Sequence, residues 1–310
     1  NQYHQYYCVD DSLGLPDNNI TDIYRDSHNR LWVATVNGVC LYQANGNFKR
    51  VSINSANKNI EKILEDKEGR IFFFTITDLY QYDEKNNKAI TRLSKMVEKN
   101  CYNFSCHIDR KDVLWIVTSY SVKGYRTRDL KLIAPNPVQS YPIASFLLDG
   151  HQLYLSGYNG MQLFDTDTRK WQQLPAALQG LQIPNDMVSG IHPYGEKGNL
   201  LLSTTKHGLL YFNAQEETIL PQSDKNFPFE VPDMQVNKMF TDSKGNLWLG
   251  SEDDGVKTIY RYKDMFNSMP ALQRAIGKQP VLSVATDRNH HLWISTKKNG
   301  LYMYDLQTQQ

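Results

Sequence analysis

The sequence predicts an all-β fold, a seven-bladed β-propeller of four-stranded antiparallel blades. Three observations predict it: a phrase repeated seven times, a nearly constant step between copies, and a second strand that is apolar on both faces. The phrase reads Asp-x-x-x-x-Leu-Trp-apolar-x-Thr, followed by Gly-apolar. Its clearest copies are DSHNRLWVAT (26–35), DRKDVLWIVT (109–118), DSKGNLWLGS (242–251) and DRNHHLWIST (287–296). Weaker copies are DKEGRIFFFT (66–75), DGHQLYLSG (149–157) and GEKGNLLLSTT (195–205). The anchors are Trp32, Phe72, Trp115, Tyr154, Leu201, Trp248 and Trp293, separated by 40, 43, 39, 47, 47 and 45 residues.

The first repeat shows how each element arises. ITDIYRD (20–26) is short, carries β-branched residues and ends at a turn-forming Asp, so it reads as strand one. Asp-Ser-His-Asn is a tight polar turn, because an Asp side chain can accept from the backbone two residues on. Asp recurs six residues before the anchor as Asp26, Asp66, Asp109, Asp242 and Asp287. RLWVAT is strand two. A turn at Gly38 leads to strand three, GVCLYQ, and NFKRVSI (47–53) is strand four. Gly recurs at the turn as Gly124, Gly160, Gly208, Gly255 and Gly300, which predicts a positive φ there. Asp78 fills that place in repeat two and is expected to tolerate the left-handed region. SKMVEKN (94–100) is the one stretch with a helical cast, a single turn at most.

In strand two, Leu31 and Val33 face one side while Trp32 and Ala34 face the other. A sheet apolar on both faces must be covered on both. Radial stacking of blades does this and also protects the sheet edges. The seventh repeat ends after its third strand, NGLYMYD (299–305), and Gln5–Val9 lies where a missing fourth strand belongs. The expectation is one domain over 1–310, its ring closed by residues 5–9 completing a blade formed by about 280–305.

A formal charge of +1 and a mean hydropathy of −0.55 give no reason to expect nucleic acid or an anionic membrane as a partner. No apolar run reaches the length of a membrane span and no signal peptide is visible. The chain starts at Asn1 without Met, which reads as a processed or trimmed protein. Cys8, Cys40, Cys101 and Cys106 lack metal-ligand spacing and are expected to be mostly buried thiols.

Residues 15–39, LPDNNITDIYRDSHNRLWVATVNGV, resemble the two-component-regulator propeller repeat, and repeats six and seven match nearly as well. Repeats two, four and five lack the Trp and match in outline. The Gly-His and Trp-Asp pairs of WD40 repeats are absent. The resemblance covers about residues 5–305. It implies the periplasmic sensor region of a hybrid two-component histidine kinase, with two propellers, a β-sandwich, a membrane span and cytoplasmic kinase and regulator domains. It also implies detection of glycan fragments, control of polysaccharide-use genes and a homodimer in the full-length receptor. Kinase activity would lie outside these residues.

The search for chemistry returns little. Ser55–Lys58 and Ser295–Lys298 match Ser-x-x-Lys, but neither Ser is placed at a helix start. The acidic runs at Asp165, Asp167 and Glu252–Asp254 lack a calcium-loop ligand set, and the adjacent His290 and His291 point to opposite sides of the chain. No phosphate loop or dinucleotide fingerprint is present. No catalytic residue, metal or cofactor is expected.

Topology points to one face. The turns between strands two and three share it with the loops that lead into strand one, whereas the Asp turns lie opposite. The Asp turns are alike from blade to blade and the two–three turns are not, so specificity belongs on the latter. Candidate ligand residues there are Tyr120, Lys123, Tyr158, Lys206, His207, Asp253, Asp254, Lys297 and Lys298. Tyr102 and Tyr141 precede strand one of two blades, where extension of that face and core or rim packing explain them equally. Aromatic rings beside polar groups suit sugars, which makes an oligosaccharide the expected ligand, while the mixed charges also suit a partner protein. The expected function is non-catalytic sensing. The rivals are a structural or dimerisation propeller whose ligand site lies in other domains of the receptor, and a propeller lyase or lactonase.

Overall fold

The computed structural model describes residues 6, 8, 13–98, 101, 103–138, 141–181, 183, 186–231, 234–251, 255–260, 275, 281–287, 289, 291–296 and 301–305. The chain forms two compact units, Asn1–Phe240 with Trp248–Ile259, and Thr241–Leu247 with Tyr260–Gln310. Six sheets belong to the first unit, save the Thr241–Leu247 turn of the sixth.

Blade one is Ile20–Arg25, Leu31–Thr35, Gly38–Tyr42 and Phe48–Arg50. Blade two is Lys62–Glu65, Ile71–Phe74, Asp78–Asp83 and Lys88–Ser94, with Ser52–Ile53 added parallel to its outer strand. Blade three is Phe104–Ile108, Val113–Thr118, Ser121–Arg126 and Leu132–Pro137. Blade four is Ala144–Leu148, Gln152–Gly157, Gly160–Asp165 and Lys170–Gln172, and blade five is Val188–Pro193, Leu200–Thr204, Leu209–Asn213 and Thr218–Pro221. Blade six has three strands, Lys238–Thr241, Leu247–Gly250 and Val256–Ile259. The seventh repeat forms a three-stranded antiparallel sheet, Val281–Thr286, His291–Thr296 and Leu301–Asp305, in the second unit.

The propeller is six-bladed, which corrects the expectation of seven. The expected closure by residues 5–9 also gives way. Of that segment Tyr6 and Cys8 are described, and both lie on blade one. The Tyr6 ring meets Tyr42 and Phe48 edge-on, and Cys8 bridges Leu15. Phe48 N–H donates to the Leu13 carbonyl at 2.8 Å, and the Arg50 guanidinium donates to the carbonyls of Gly14 at 2.9 Å and Leu15 at 2.7 Å. Leu15 then buries itself against Val33, Cys40 and Phe48. The apolar face of blade one, with Arg50 as a clamp, captures the N-terminal segment.

Strand two supplies both faces as its pattern requires. Trp32 and Ala34 pack with Ile60, Ile63, Ile71 and Phe73 of blade two. Phe72 and Phe74 pack with Leu114 and Ile116 of blade three. Trp115 and Val117 meet Leu153, Leu155 and Phe164 of blade four. Tyr154 meets Leu200, Leu202 and Phe212 of blade five.

The Asp turn repeats in detail. Asp26 Oδ1 accepts the N–H groups of His28 and Arg30 at 3.0 and 2.8 Å, and Oδ2 accepts the Trp32 indole N–H at 2.9 Å. Asp109 does the same with Lys111, Val113 and Trp115, and Asp287 with Asn289, His291 and Trp293. In blade two Phe72 replaces Trp, and Arg70 Nε takes the second Asp66 oxygen at 2.6 Å. Burial works against the Asp26 charge, but the hydrogen bonds from Trp32 and Arg30 hold the carboxyl below its ordinary value. At the other end of strand two, Thr35 Oγ1 donates to the Gly38 carbonyl at 2.9 Å and Thr204 Oγ1 to the Gly208 carbonyl at 3.0 Å. This accounts for the Thr in the phrase.

Some local expectations change. Gly38, Gly160, Gly208 and Gly255 have positive φ, whereas Gly124 and Asp78 do not. Gly124 pairs with Trp115, and a Cβ there would lie 2.9 Å from the indole ring, so it is ring space that favours glycine. Gly300 lies outside the described residues. The expected fourth strand 47–53 breaks at Val51, whose N–H turns back to the Val39 carbonyl, and Ser52–Ile53 joins blade two. No helix forms in 94–98; a short helix forms instead at Ala176–Gln179. Cys40, Cys101 and Cys106 are buried thiols and Cys8 is an exposed one.

Candidate functional site

The face formed by the two–three turns and the lead-in loops carries a cleft of about 520 Å³ at the junction of blades four and five. Ser156, Gly157, Tyr158, Asn159 and Met161 line it from blade four, and Leu181, Ile183, Asp186, Met187 and Val188 from the loop and strand that open blade five. The volume falls within the range of small-ligand sites.

Asp186 organises its blade-five wall. The side chain is fully buried and both oxygens are occupied. Oδ1 accepts the N–H of Met187 at 2.7 Å, the N–H of Thr205 at 2.9 Å, and the Thr205 hydroxyl. Oδ2 accepts the N–H of Lys206 at 3.0 Å, the N–H of His207 at 3.1 Å, and His207 Nδ1–H at 2.6 Å. Burial opposes the charge, yet these donors outweigh it and keep the carboxyl well below the usual carboxylate range. Asp186 therefore fixes the turn 205–207 and has no capacity left for a ligand. With Nδ1 committed, His207 presents its Nε2 edge, and its side chain is exposed. Lys206 is exposed as well.

The blade-four wall differs. Tyr158 is 66% exposed on the turn that lines the cleft. Ser156 is buried, and its hydroxyl has no hydrogen-bond partner among the described residues. Gly160, at φ 95°, lets the turn close, and a Cβ there would meet nothing within 4 Å.

One junction away, Tyr120 and Tyr141 stack edge-on with ring centroids 5.9 Å apart, both exposed. Tyr141 sits at a positive φ of 46°. Lys123 is withdrawn from the face. It lies inside the strand Ser121–Arg126, and its ammonium is 2.7 Å from Glu98. Burial works against the Glu98 charge, but hydrogen bonds from Lys123, Ser121 and Thr118 hold the carboxyl down to about 2.

The candidates thus separate. Tyr158 lines the cleft, and Asp186, which also lines it, fixes the neighbouring turn that carries Lys206 and His207. Tyr120 pairs with Tyr141, and Lys123 serves packing. Asp253, Asp254, Lys297 and Lys298 lie outside the described residues, as does Tyr102. The sequence reading did not single out Ser156, Glu98 or Asp186. The available signal was an Asp at an apolar strand start, nineteen positions before a turn with free N–H groups. Among the described residues, no three His, Cys, Asp or Glu side chains converge as metal ligands. No helix among them is long and apolar enough to cross a membrane.

Comparison with known proteins follows the same geometry. Residues 14–37 and 230–253 match the family described as two component regulator propeller. The chain is similar to the extracellular domain assigned to a hybrid two component system of B. thetaiotaomicron, at 16% identity and a TM-score of 0.58, covering 93% of this chain and 40% of that one. A second such domain from that organism gives 15% identity and a TM-score of 0.50, over 98% and 46%. Virginiamycin B lyase of Staphylococcus aureus gives 11% identity and a TM-score of 0.56, over 96% and 97%. At these identities the likenesses show the fold. A histidine kinase of Formosa agariphila is 28% identical over 91 residues, which is 28% of this chain and 7% of that protein. The chain spans less than half the length of the two extracellular domains and a small part of the kinase.

Proposed function

We propose that this chain is a non-catalytic sensor propeller of a hybrid two-component receptor. It stands on the periplasmic side, takes part in recognising a glycan fragment and thereby regulates polysaccharide-use genes. The observation that carries the reading is the cleft beside Tyr158. An exposed aromatic ring and the Asn159 amide line it, which is the chemistry that meets the apolar faces and hydroxyls of a sugar ring. The carboxylate in its wall is saturated with donors and serves architecture. Kinase chemistry belongs to other domains of the receptor, which are the expected partners together with a second copy of the chain.

A thermal-shift screen against plant, host and microbial oligosaccharides tests the proposal. Saturable stabilisation by one glycan class, lost in Tyr158→Ala, is the expected result. Absence of any shift across the panel assigns this propeller a structural or dimerisation role and places the ligand in other domains.

A further inference from the structure

At the junction of blades three and four, the two–three turn of one blade and the lead-in loop of the next hold two tyrosine rings in solvent. Tyr120 is 43% exposed and Tyr141 62%. Large apolar side chains left in water are informative where they stand together. The backbone under both rings is held. Thr118 Oγ1 accepts the N–H groups of Tyr120 and Ser121 at 3.2 and 3.1 Å, and the Tyr120 carbonyl accepts the Val138 N–H at 3.2 Å. Ser119 Oγ donates to the Pro142 carbonyl at 3.4 Å, which ties the turn to the loop that carries Tyr141. Tyr141 sits at a φ of 46°, a conformation unfavourable to a residue with a Cβ and kept where the surroundings impose it, as they do at ligand clamps.

The two rings meet at 80° with centroids 5.9 Å apart. They form a corner, an apolar floor with a second ring standing beside it, and each ring carries a phenol hydroxyl at its rim. Among the described residues at this junction and the next, the large hydrophobic side chains classed as exposed are Tyr120, Tyr141 and Tyr158, with no aliphatic one beside them. A protein interface would need a broad apolar core around such rings. Separate amphipathic rings match a pyranose instead, which is apolar on its C–H faces and hydroxylated around its edge. The corner adjoins the cleft: the Ile143 N–H, two residues after Tyr141, donates to the carbonyl of Ser156, two residues before Tyr158, at 2.8 Å. With at most about 3.6 Å of chain per residue, the α-carbons of Tyr141 and Tyr158 lie no more than about 20 Å apart. We propose that the Tyr120–Tyr141 corner is a second sugar subsite, and that the ligand is an oligosaccharide long enough to run from it to the cleft at Tyr158. The inference rests on the glycan-sensing reading above and adds the length of the ligand. A disaccharide fills one subsite, whereas a longer fragment gains the second as an intramolecular contact.

The test is calorimetric titration of the whole chain with paired disaccharides and hexasaccharides of plant (cello-, xylo-, manno-), host (hyaluronan) and microbial (laminari-, chito-) glycans. In at least one pair the hexasaccharide is expected to bind roughly tenfold or more tightly than the disaccharide. Tyr120→Ala and Tyr141→Gly are each expected to weaken the hexasaccharide by roughly tenfold and to leave the disaccharide unchanged. Glycine removes the ring at 141 and keeps the positive φ. Tyr158→Ala is expected to weaken both lengths, which separates the cleft from the corner. Leu132→Ala removes a comparably exposed side chain from the outer strand of blade three and is expected to change nothing. Equal affinity for both lengths, or Tyr120→Ala and Tyr141→Gly behaving like Leu132→Ala, overturns the second subsite while the glycan reading stands. Failure of every oligomer to bind overturns both.

Discussion

Trp32 and Trp248 occupy the same place in the same phrase, yet Trp32 is fully buried and Trp248 is 39% exposed. Around Trp32 stand Phe73 at 5.5 Å and Tyr82 at 4.9 Å between ring centroids, both from blade two. Around Trp115 the next blade supplies Phe164 at 5.2 Å. In blade six, Phe240 and Val256 are exposed along with Trp248. The Asp turn itself is the same: Asp242 Oδ1 accepts from Lys244 and Asn246 as Asp26 does from His28 and Arg30. The phrase therefore encodes a turn and a strand, while burial is conferred by the neighbouring blade. Repeats equal in sequence need not be equal in stability.

The largest expected effect follows directly. Trp32→Ala or Trp115→Ala should cost about 3–5 kcal/mol in a denaturant melt, as truncation of a buried aromatic does. Trp248→Ala should cost about 1 kcal/mol, within the ordinary range for a partly exposed site. Equal losses at all three would break the comparison.

The next effect is a slope with pH. The residue eight positions before the anchor is His107 in blade three and the exposed Phe240 in blade six. Burial, reinforced by the charge of Lys62, pushes the His107 imidazole down to about 4, and Ser145 Oγ lies 2.9 Å from its Nε2. The unfolded chain takes up this proton near pH 6.5 and the folded chain refuses it, so stability falls from pH 6.5 down to about 4. Glu98 adds a second loss as pH falls from 4.5 to about 2, since its folded carboxyl stays charged where the unfolded one is protonated. Melting temperatures of His107→Asn across the first window should show a flatter slope than the parent. An unchanged slope would remove His107 from the account.

A smaller effect sharpens the role of the turn. Asp109→Ala leaves the Trp115 indole N–H and the Val113 N–H without their acceptor and should cost about 1–3 kcal/mol. Pairing it with Trp115→Phe in a double-mutant cycle isolates the indole bond. A coupling energy of zero would make the turn's backbone bonds the whole contribution. Gly124→Ala is expected to cost about 1–2 kcal/mol, because the new methyl meets the Trp115 ring. Trp115→Leu should relieve that cost. If Gly124→Ala remains as costly without the indole, backbone preference rather than ring space decides the position.

Much of the architecture was legible because it is local and periodic. The Asp, the apolar pairs of strand two and the terminal Thr each perform a job within one blade, and each recurs. What was not legible depends on partners far along the chain. Nothing in NFKRVSI announces that Val51 will turn back to Val39 and send Ser52 and Ile53 to blade two. The capture of Leu13–Leu15 by Phe48 and Arg50 competes with a ring closure that the repeat count favours, and only packing decides between them. At the site, Tyr158, Lys206 and His207 were legible as variable turn residues. The anchoring of the 205–207 turn was not, because it depends on a carboxylate nineteen positions upstream whose oxygens gather that turn. Lys123 looked equivalent until Glu98, from the preceding connection, claimed it.

The indole bonds of the Asp turns have an optical consequence. The chain has five tryptophans, four of them at repeat anchors. Trp32 and Trp115 are enclosed in apolar surroundings, each with its N–H bound to a carboxylate, whereas Trp248 meets solvent. Emission from the first two should lie to the blue of that from Trp248. The molecule thus carries its own fluorescent reporters, one per anchor-bearing blade. Single-tryptophan versions would show in what order the blades come apart and whether a ligand at blades four and five is felt in blades one and three.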